Sequence, residues 1–469
     1  MSLRDAAGVT FDTHAPLLIV GAGAAGLCAA LAAKEAGVDP VVIERDALPS
    51  GSTALSAGLI PAAGTRFQRA KGIDDSADRF ADDIQRKADG GNDPAIVKVV
   101  ARESSALIEW LADCRSMPFD VVDNFNYPGH SALRMHGLPS RSGRELIDRL
   151  RSAAEADDIV ILTESVVDDL YVGEGGVIRG IGLTRADGRR EMLGCDALIL
   201  ACNGYGGDAG LVRRFIPEMA EALYFGHPGN RGDAVRWGEA LGAELRYLSA
   251  YQGHGSVATP HNILITWAVI MQGGFQVNRD GRRFGDESHG YSEQAADVLR
   301  QPGGVAFDVF DDRVAAVARQ FEDFQAAERG GAVLRADSME ALAVIMKVPA
   351  DALAVECSEV EAVKAANGHD RFGRRFAPEQ RLAPPYCAVK VTGALFHTQG
   401  GLAIDANARV LRKDGSAFPN LFAAGGAAAG VSGDTAAGYL SGNGLLTATT
   451  LGRLAGRSAA RLIGKTYRS

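Results

Sequence analysis

The sequence is poor in cysteine, and its six cysteines (Cys28, Cys114, Cys195, Cys202, Cys357 and Cys387) are scattered over 469 residues with no Cys-x-x-Cys pair. That spacing argues against zinc ribbons and dithiol redox motifs, so no metal ligand set is expected. Long apolar runs are missing too: none approaches the ~20 residues that a membrane-spanning helix needs. The opening residues, MSLRDAAGVTFDTH, carry acids and no apolar stretch, which predicts a short disordered lead rather than a secretory signal. Together these absences predict a cytoplasmic protein. Basic blocks are absent as well. With 49 basic and 58 acidic residues the formal charge is −9, and nucleic acid is not an expected partner. There is no fixed-period repeat and no low-complexity linker.

Glycine is abundant, at 57 residues, and clustered at 21–26, 51–64, 204–209, 226–232, 393–401 and 425–444. Such clusters mark tight turns or places where backbone closely approaches a ligand. Hydrophobic residues make up 46% and charged residues 23%, ordinary globular usage. The length predicts two domains. Pro16-Leu-Leu-Ile-Val20 has the length of a buried strand, Gly21-Ala-Gly-Ala-Ala-Gly26 follows at once, residues 27–37 read as a helix, and Pro40-Val-Val-Ile-Glu44 as a second strand. This is a βαβ unit with a dinucleotide fingerprint. Gly21 allows the tight turn, Gly23 lets backbone approach a pyrophosphate, and Gly26 lets helix and strand pack closely. The amides at Ala24 and Ala25 open the helix and face the phosphates. Glu44 ends the second strand, 23 residues after Gly21, where a carboxylate accepts ribose hydroxyls.

Further along, 74–112 and 143–154 read as helices, 159–194 as a β-meander, and 196–201 as a buried strand ending in Cys202-Asn-Gly204. Ala-rich helical segments occupy 313–328 and 338–347. A strand and turn at 420–426 precede a closing helix over 444–455. The predicted fold class is α/β: a discontinuous Rossmann-like domain (1–245 and 381–469) with an inserted α+β cap (246–380).

Beyond the βαβ unit come Ser50-Gly-Ser-Thr-Ala54, Ser56-Ala-Gly58, Ala201-Cys-Asn-Gly204, Gly232-Asp233, VNRDGRRFGDES (277–288), FHTQGGLAID (396–405) and Ala424-Gly-Gly426 before the C-terminal helix. With these motifs nearly the whole chain resembles the flavoprotein superfamily of succinate dehydrogenase, fumarate reductase and ketosteroid dehydrogenase. The resemblance implies FAD, held by Gly21, Gly23, Ala24, Ala25, Gly26, Glu44, Arg45, Gly51, Ser52, Thr53, Ala57, Gly58, Val166, Val167, Ala201, Cys202, Asn203, Gly204, Asp233, Gly425, Gly426, Ser441, Gly442, Leu445 and Leu446. Some members link FAD to a histidine in the segment matching 50–58. Ser52 stands there, so noncovalent binding is expected. There is no second complete dinucleotide fingerprint, and direct use of NAD(P)H is not expected.

The superfamily oxidises or reduces a C–C bond beside an electron-withdrawing group. Fumarate-type members clamp a carboxylate with arginines. Here Tyr439 stands where one clamp would be, and Ala315 where a proton-delivering arginine would be, with Arg313 two residues away. The resemblance therefore points to the ketosteroid dehydrogenase branch. It implies Tyr439 and the Asn443 amide as donors to a ketone oxygen, Ser441 as a further catalytic group, Tyr291 as the base and Tyr127 as its support. His254, His397 and Arg134 are candidate substrate contacts, with His136, Thr398 and Gln399 as lesser ones. The implied reaction desaturates a cyclic ketone (a 3-ketosteroid, or a smaller ring such as a cyclohexanone or oxocyclohexane carboxylate), with a proton to Tyr291 and a hydride to flavin N5. The electron acceptor is open among a quinone, a dye-like acceptor and O2. Two alternatives are a fumarate-reductase-like ene-reductase and a flavin carrier without C–C chemistry.

Overall fold

The apolar run at 16–20 is the buried end of a strand, Thr13–Val20, at the heart of the larger of two main sheets. The computed structural model describes residues 2–466. The larger sheet has nine strands. Parallel pairing joins Arg190–Leu200, Thr13–Val20, Pro40–Ile43 and Val160–Leu162 in that order. The first half of Arg190–Leu200 pairs antiparallel with Ile178–Arg185, which pairs with Ser165–Val172. One long strand thus carries the Rossmann sheet into the expected meander, and Ala417–Ala423 joins its far end in parallel.

Residues 2–5 depart from the predicted disordered lead. Ser2–Asp5 is a strand paired in parallel with Ser165–Val172. Its partner lies more than 160 residues away, so no local signal announces the pairing.

The Ala24–Glu35 helix packs on the sheet and against the C-terminal helix Asn443–Thr466. Small residues make this possible. Gly452 and Gly456 sit directly on the backbone of Ala25 and Ala29, where a methyl group would collide with the carbonyls. Such backbone-to-backbone approach positions the start of the C-terminal helix relative to the glycine-rich turn.

The second sheet has seven strands and a core of its own. Its central strand is Tyr386–Thr398, flanked by Tyr251–Ala258 and Val305–Asp311. Leu223–Tyr224 also joins it. The sheet therefore extends past both limits expected for the inserted unit, 246 and 380, because its central strand comes from the chain's return toward the larger sheet. No helix among the described residues is long and apolar enough to cross a membrane.

Overpacking the contact between the two helices should cost about 1–3 kcal/mol. Gly456→Leu is expected to lower the thermal midpoint and weaken cofactor retention together. An unchanged midpoint would contradict the close approach described here.

Candidate active site

A single long cavity runs from the end of the Pro40–Ile43 strand to the junction between the two sheets. Its first half is built by the fingerprint. Gly21 adopts φ +105°, open to glycine at little strain, and its amide donates to Ile43 O at 2.8 Å. The Ala24 amide, first of its helix, donates to Thr53 Oγ1 at 3.1 Å. Glu44 is buried at the cavity wall, accepting from the Ala22 amide at 2.8 Å and the Asp46 amide at 3.0 Å. Arg45 pairs with Asp233 at 2.6 Å. The second Asp233 oxygen is buried without a partner, and burial raises its pKa. Ser52 Oγ accepts from the His227 amide and from Asn230 Nδ2, at 3.1 and 2.8 Å. Backbone amides at a helix start, a ribose-facing carboxylate and glycine walls fit the adenosine diphosphate half of FAD.

Most residues expected around the flavin line this cavity: Gly21, Gly23, Ala24, Ala25, Glu44, Arg45, Gly51, Ser52, Thr53, Ala57, Val167, Ala201, Cys202, Asn203, Asp233, Gly425, Gly426, Ser441, Gly442 and Leu445. Five do not. Val166 is the alternation partner of Val167 and faces outward, 37% exposed. Leu446 is one helical step past Leu445 and turns into the core. Gly26, Gly58 and Gly204 pack under the wall, against Gly21 O, Ser142 O and Thr398 Oγ1 respectively.

The far half is aromatic and closed. Tyr291 begins the Tyr291–Leu299 helix and is 8% exposed. Its ring lies 6.0 Å from that of Tyr439, 6.4 Å from Tyr127 and 6.1 Å from Trp267, and it stacks on His254 at 4.7 Å. Phe225 and Phe396 stack beyond His254. Three of the expected catalytic tyrosines are thus brought together, with Ser441 beside them. The Tyr439 hydroxyl accepts from the Gly444 amide at 3.3 Å.

Asn443 does not take the position expected for it. Its amide donates to Leu440 O at 3.0 Å and its side chain is fully buried, so the amide beside Tyr439 is that of Gly444. Tyr127 is also placed differently. Its ring meets that of Tyr291 edge-on, and the neighbouring hydroxyl that eases its own ionisation is Thr266. Two neighbouring hydroxyls act on Tyr291 in opposite senses: Ser441 eases its ionisation and Tyr439 opposes it.

Burial sets the electrostatics. It pushes the Tyr291 phenol well above its ordinary value and the Tyr439 and Tyr127 phenols up to about 12. It pushes the imidazoles of His254 and His397 down to about 3 and 4, so both are neutral at neutral pH. His254 Nδ1 accepts from the Ser256 amide at 3.1 Å. Gln399 Nε2 sits 2.9 Å from His397 Nδ1. His254 therefore keeps Nε2–H as a donor, whereas His397 Nδ1 also faces Thr398 O at 3.4 Å; both histidines line the cavity with Thr398 and Gln399.

Arg134 is not a substrate contact. It is 1% exposed and gripped by Asp75 at 2.9 Å and Asp83 at 2.5 Å. Burial works against the Asp83 carboxylate, yet hydrogen bonds from Ser131 and Arg134 hold it down to about 2. His136 lies outside the cavity, held by Thr65 Oγ1 at 2.8 Å and Arg134 O at 2.9 Å. Arg313 is on the outer surface of the second unit, bonded to Gln272 O, and Ala315 is in that unit's core. Among the described residues lining the cavity the one arginine is Arg45, at the adenosine end.

Sequence reasoning missed Trp267, Phe225, Phe396, Thr266, Phe321, Asp323 and Gly444, all in the cavity wall. Trp267 sits in an apolar stretch that reads as ordinary core. Phe396 directly precedes His397 in the FHTQGG motif, and alternation along the strand does not mark it as a cavity residue.

The family model described as FAD binding domain matches residues 17–445. A probable fumarate reductase of Shewanella frigidimarina is 31% identical over 97% of this chain and 76% of its own length. A 4-oxocyclohexanecarboxylate 2-dehydrogenase of Sinomonas cyclohexanicum is 24% identical over 95% of this chain and 92% of its own. The solved 3-ketosteroid Δ4-(5α)-dehydrogenase of Rhodococcus jostii superposes with a TM-score of 0.77 at 25% identity, covering 97% of this chain and 99% of that one. Glu44→Ala should therefore leave a purified protein depleted in flavin by its absorbance at constant fold, and full loading would remove Glu44 from the ribose contact. The chain belongs to the FAD binding domain family and is an FAD-dependent oxidoreductase.

Proposed function

We propose that this oxidoreductase desaturates a cyclic ketone next to its carbonyl. The observation that carries the reading is the chemistry of the closed end of the cavity: phenols, one helix-start amide and two neutral histidines, with no arginine among the described residues that line it. A dicarboxylate stripped of water needs compensating cations. A ketone needs only neutral donors for the oxygen that becomes negative as its α-proton leaves. The Rhodococcus and Sinomonas relatives are both named for ketones, the Sinomonas one for a ketone that also bears a carboxylate. The fumarate reductase relative favours the reverse reaction on a diacid, and the lack of cations weighs against it. With Arg134 held by two carboxylates, an uncharged ring is favoured over one bearing a carboxylate.

In this reading Tyr439 donates its hydroxyl proton's hydrogen bond to the ketone oxygen. Its own oxygen is held by the Gly444 amide, which leaves the O–H free to point at substrate. Tyr291 accepts the α-proton. Ser441 stabilises the resulting phenolate. Bound FAD supplies the acceptor for the β-hydride. Ser52, already engaged by His227 and Asn230, offers no histidine for a covalent link, so the flavin is held noncovalently.

Tyr439→Phe should lower kcat by about two orders of magnitude while FAD stays bound; a wild-type rate would remove Tyr439 as the ketone anchor. Tyr291→Phe should abolish exchange of the substrate α-hydrogen with solvent deuterium, and persistent exchange would exclude Tyr291 as the base. The pH dependence has a definite sign. The active form of Tyr291 is the phenolate, and burial raises its pKa. The ionised fraction therefore grows about tenfold per pH unit through the neutral range, and kcat/KM should climb accordingly. A plateau reached by pH 7 would contradict a buried phenol as base.

A further inference from the structure

Beneath Ser441 lies a buried chain of polar groups that the reaction scheme does not use. Ser441 and Gly442 form the turn before the C-terminal helix, with Gly442 at φ +85°. The Ser441 carbonyl points away from the cavity, to His130 Nε2 at 2.9 Å. His130 is 8% exposed and tilted against Phe80. Its other nitrogen, Nδ1, is 3.2 Å from Arg134 Nη1. Arg134 is in turn fixed by Asp75 through Nε and Nη2, both at 2.9 Å, and by Asp83.

The direction of every bond in this chain is determined. A guanidinium only donates and a peptide carbonyl only accepts. His130 Nδ1 must therefore be the acceptor and Nε2 the donor, which makes the ring neutral and fixes one tautomer. Burial and the adjacent guanidinium act in the same sense, lowering the imidazole to about 4. Arg134 lies over the Phe80 ring at 4.6 Å, so its remaining face is also covered.

We propose that His130 is a positioning residue: locked by Arg134 between Asp75 and Asp83, it holds the Ser441 backbone so that Ser441 keeps its place in the cavity wall that it shares with Tyr291. The role rests on the reading of Tyr291 as base. It explains why a fully buried ion-pair cluster stands next to a cavity without taking part in it. A charged network in low dielectric is rigid, and the group it immobilises lines the same cavity as Tyr291, whose ionisation the Ser441 hydroxyl eases. Loss of the His130 donor would leave the Ser441 carbonyl buried and unpaired, and the turn would rotate to find a partner.

The test has two arms, both on FAD-loaded full-length protein. In the first, 15N NMR of histidine-labelled enzyme without substrate reads the His130 ring, assigned by its disappearance in His130→Gln. A neutral ring protonated at Nε2 from pH 6 to 9 is expected. A proton on Nδ1, or an imidazolium, would overturn the inference whatever the reaction. In the second, solvent-deuterium exchange of a cyclic ketone is followed against pH. His130→Leu should move the profile about one unit to higher pH, about tenfold slower at a fixed pH, with ketone affinity unchanged. His130→Gln, whose amide donates to the same carbonyl, should recover to within about threefold. Where the Leu variant fails to retain FAD, His130→Asn, too short to reach Ser441 O, replaces it. If wild-type enzyme exchanges and these variants follow its profile, the positioning role is wrong and the ketone reading stands. If wild-type enzyme shows no exchange with any ketone, the ketone reading fails and takes the catalytic part of this role with it.

Discussion

The start of the C-terminal helix constrains everything around it. At one point in the chain, Gly442 to Gly444, the backbone turns, the Gly444 amide meets the Tyr439 hydroxyl at 3.3 Å, and a helix begins. Two turns further on, Gly452 and then Gly456 lie on the backbone of Ala25 and Ala29. The same rigid element that grips the dinucleotide helix thus presents the donors at the closed end of the cavity. A helix N-terminus carries partial positive charge without a cation. That lets the site favour developing negative charge while its walls stay uncharged.

This arrangement separates two uses of charge. Formal charges are kept out of the reaction space and satisfied elsewhere: Arg45 with Asp233 at the adenosine end, and Arg134 with Asp75 and Asp83 behind the wall. What lines the aromatic end of the cavity are groups neutral by burial, namely His254, His397 and three tyrosines. In the proposed function, such a site discriminates chiefly by the cost of desolvating a charged substrate. Asp323, a carboxyl in the wall raised to about 6 by burial, is the exception: still ionised at neutral pH, it repels anions.

The dinucleotide half was legible because its physics is local. A strand, a turn requiring glycine, a helix of small residues and an acid at the next strand's end fall within 30 residues, and each has a sequence signature. Tyr291, Tyr439 and Ser441 were legible only through resemblance, since nothing local marks a tyrosine as facing a cavity. Arg134 was misjudged for a physical reason. Its partners Asp75 and Asp83 lie about 50 to 60 residues away, and a lone arginine in sequence carries no sign that two carboxylates already enclose it. Asn443 was misjudged by one residue, because the helix start takes the Asn443 amide into a turn with Leu440 and leaves the next amide beside Tyr439. The strand at Ser2–Asp5 and the central position of Tyr386–Thr398 are set by pairing across the whole chain, which local pattern does not encode.

The central claim is that the closed end of the cavity receives an uncharged ketone and removes hydrogen from it. Anaerobic mixing of the oxidised, FAD-loaded protein with saturated cyclic ketones, from cyclohexanone to a 3-ketosteroid, tests it most directly. The account predicts that the flavin absorbance near 450 nm is lost within the mixing experiment and that an enone appears in equal amount. Flavin that stays oxidised with every ketone, but is reoxidised by fumarate after chemical reduction, would contradict it.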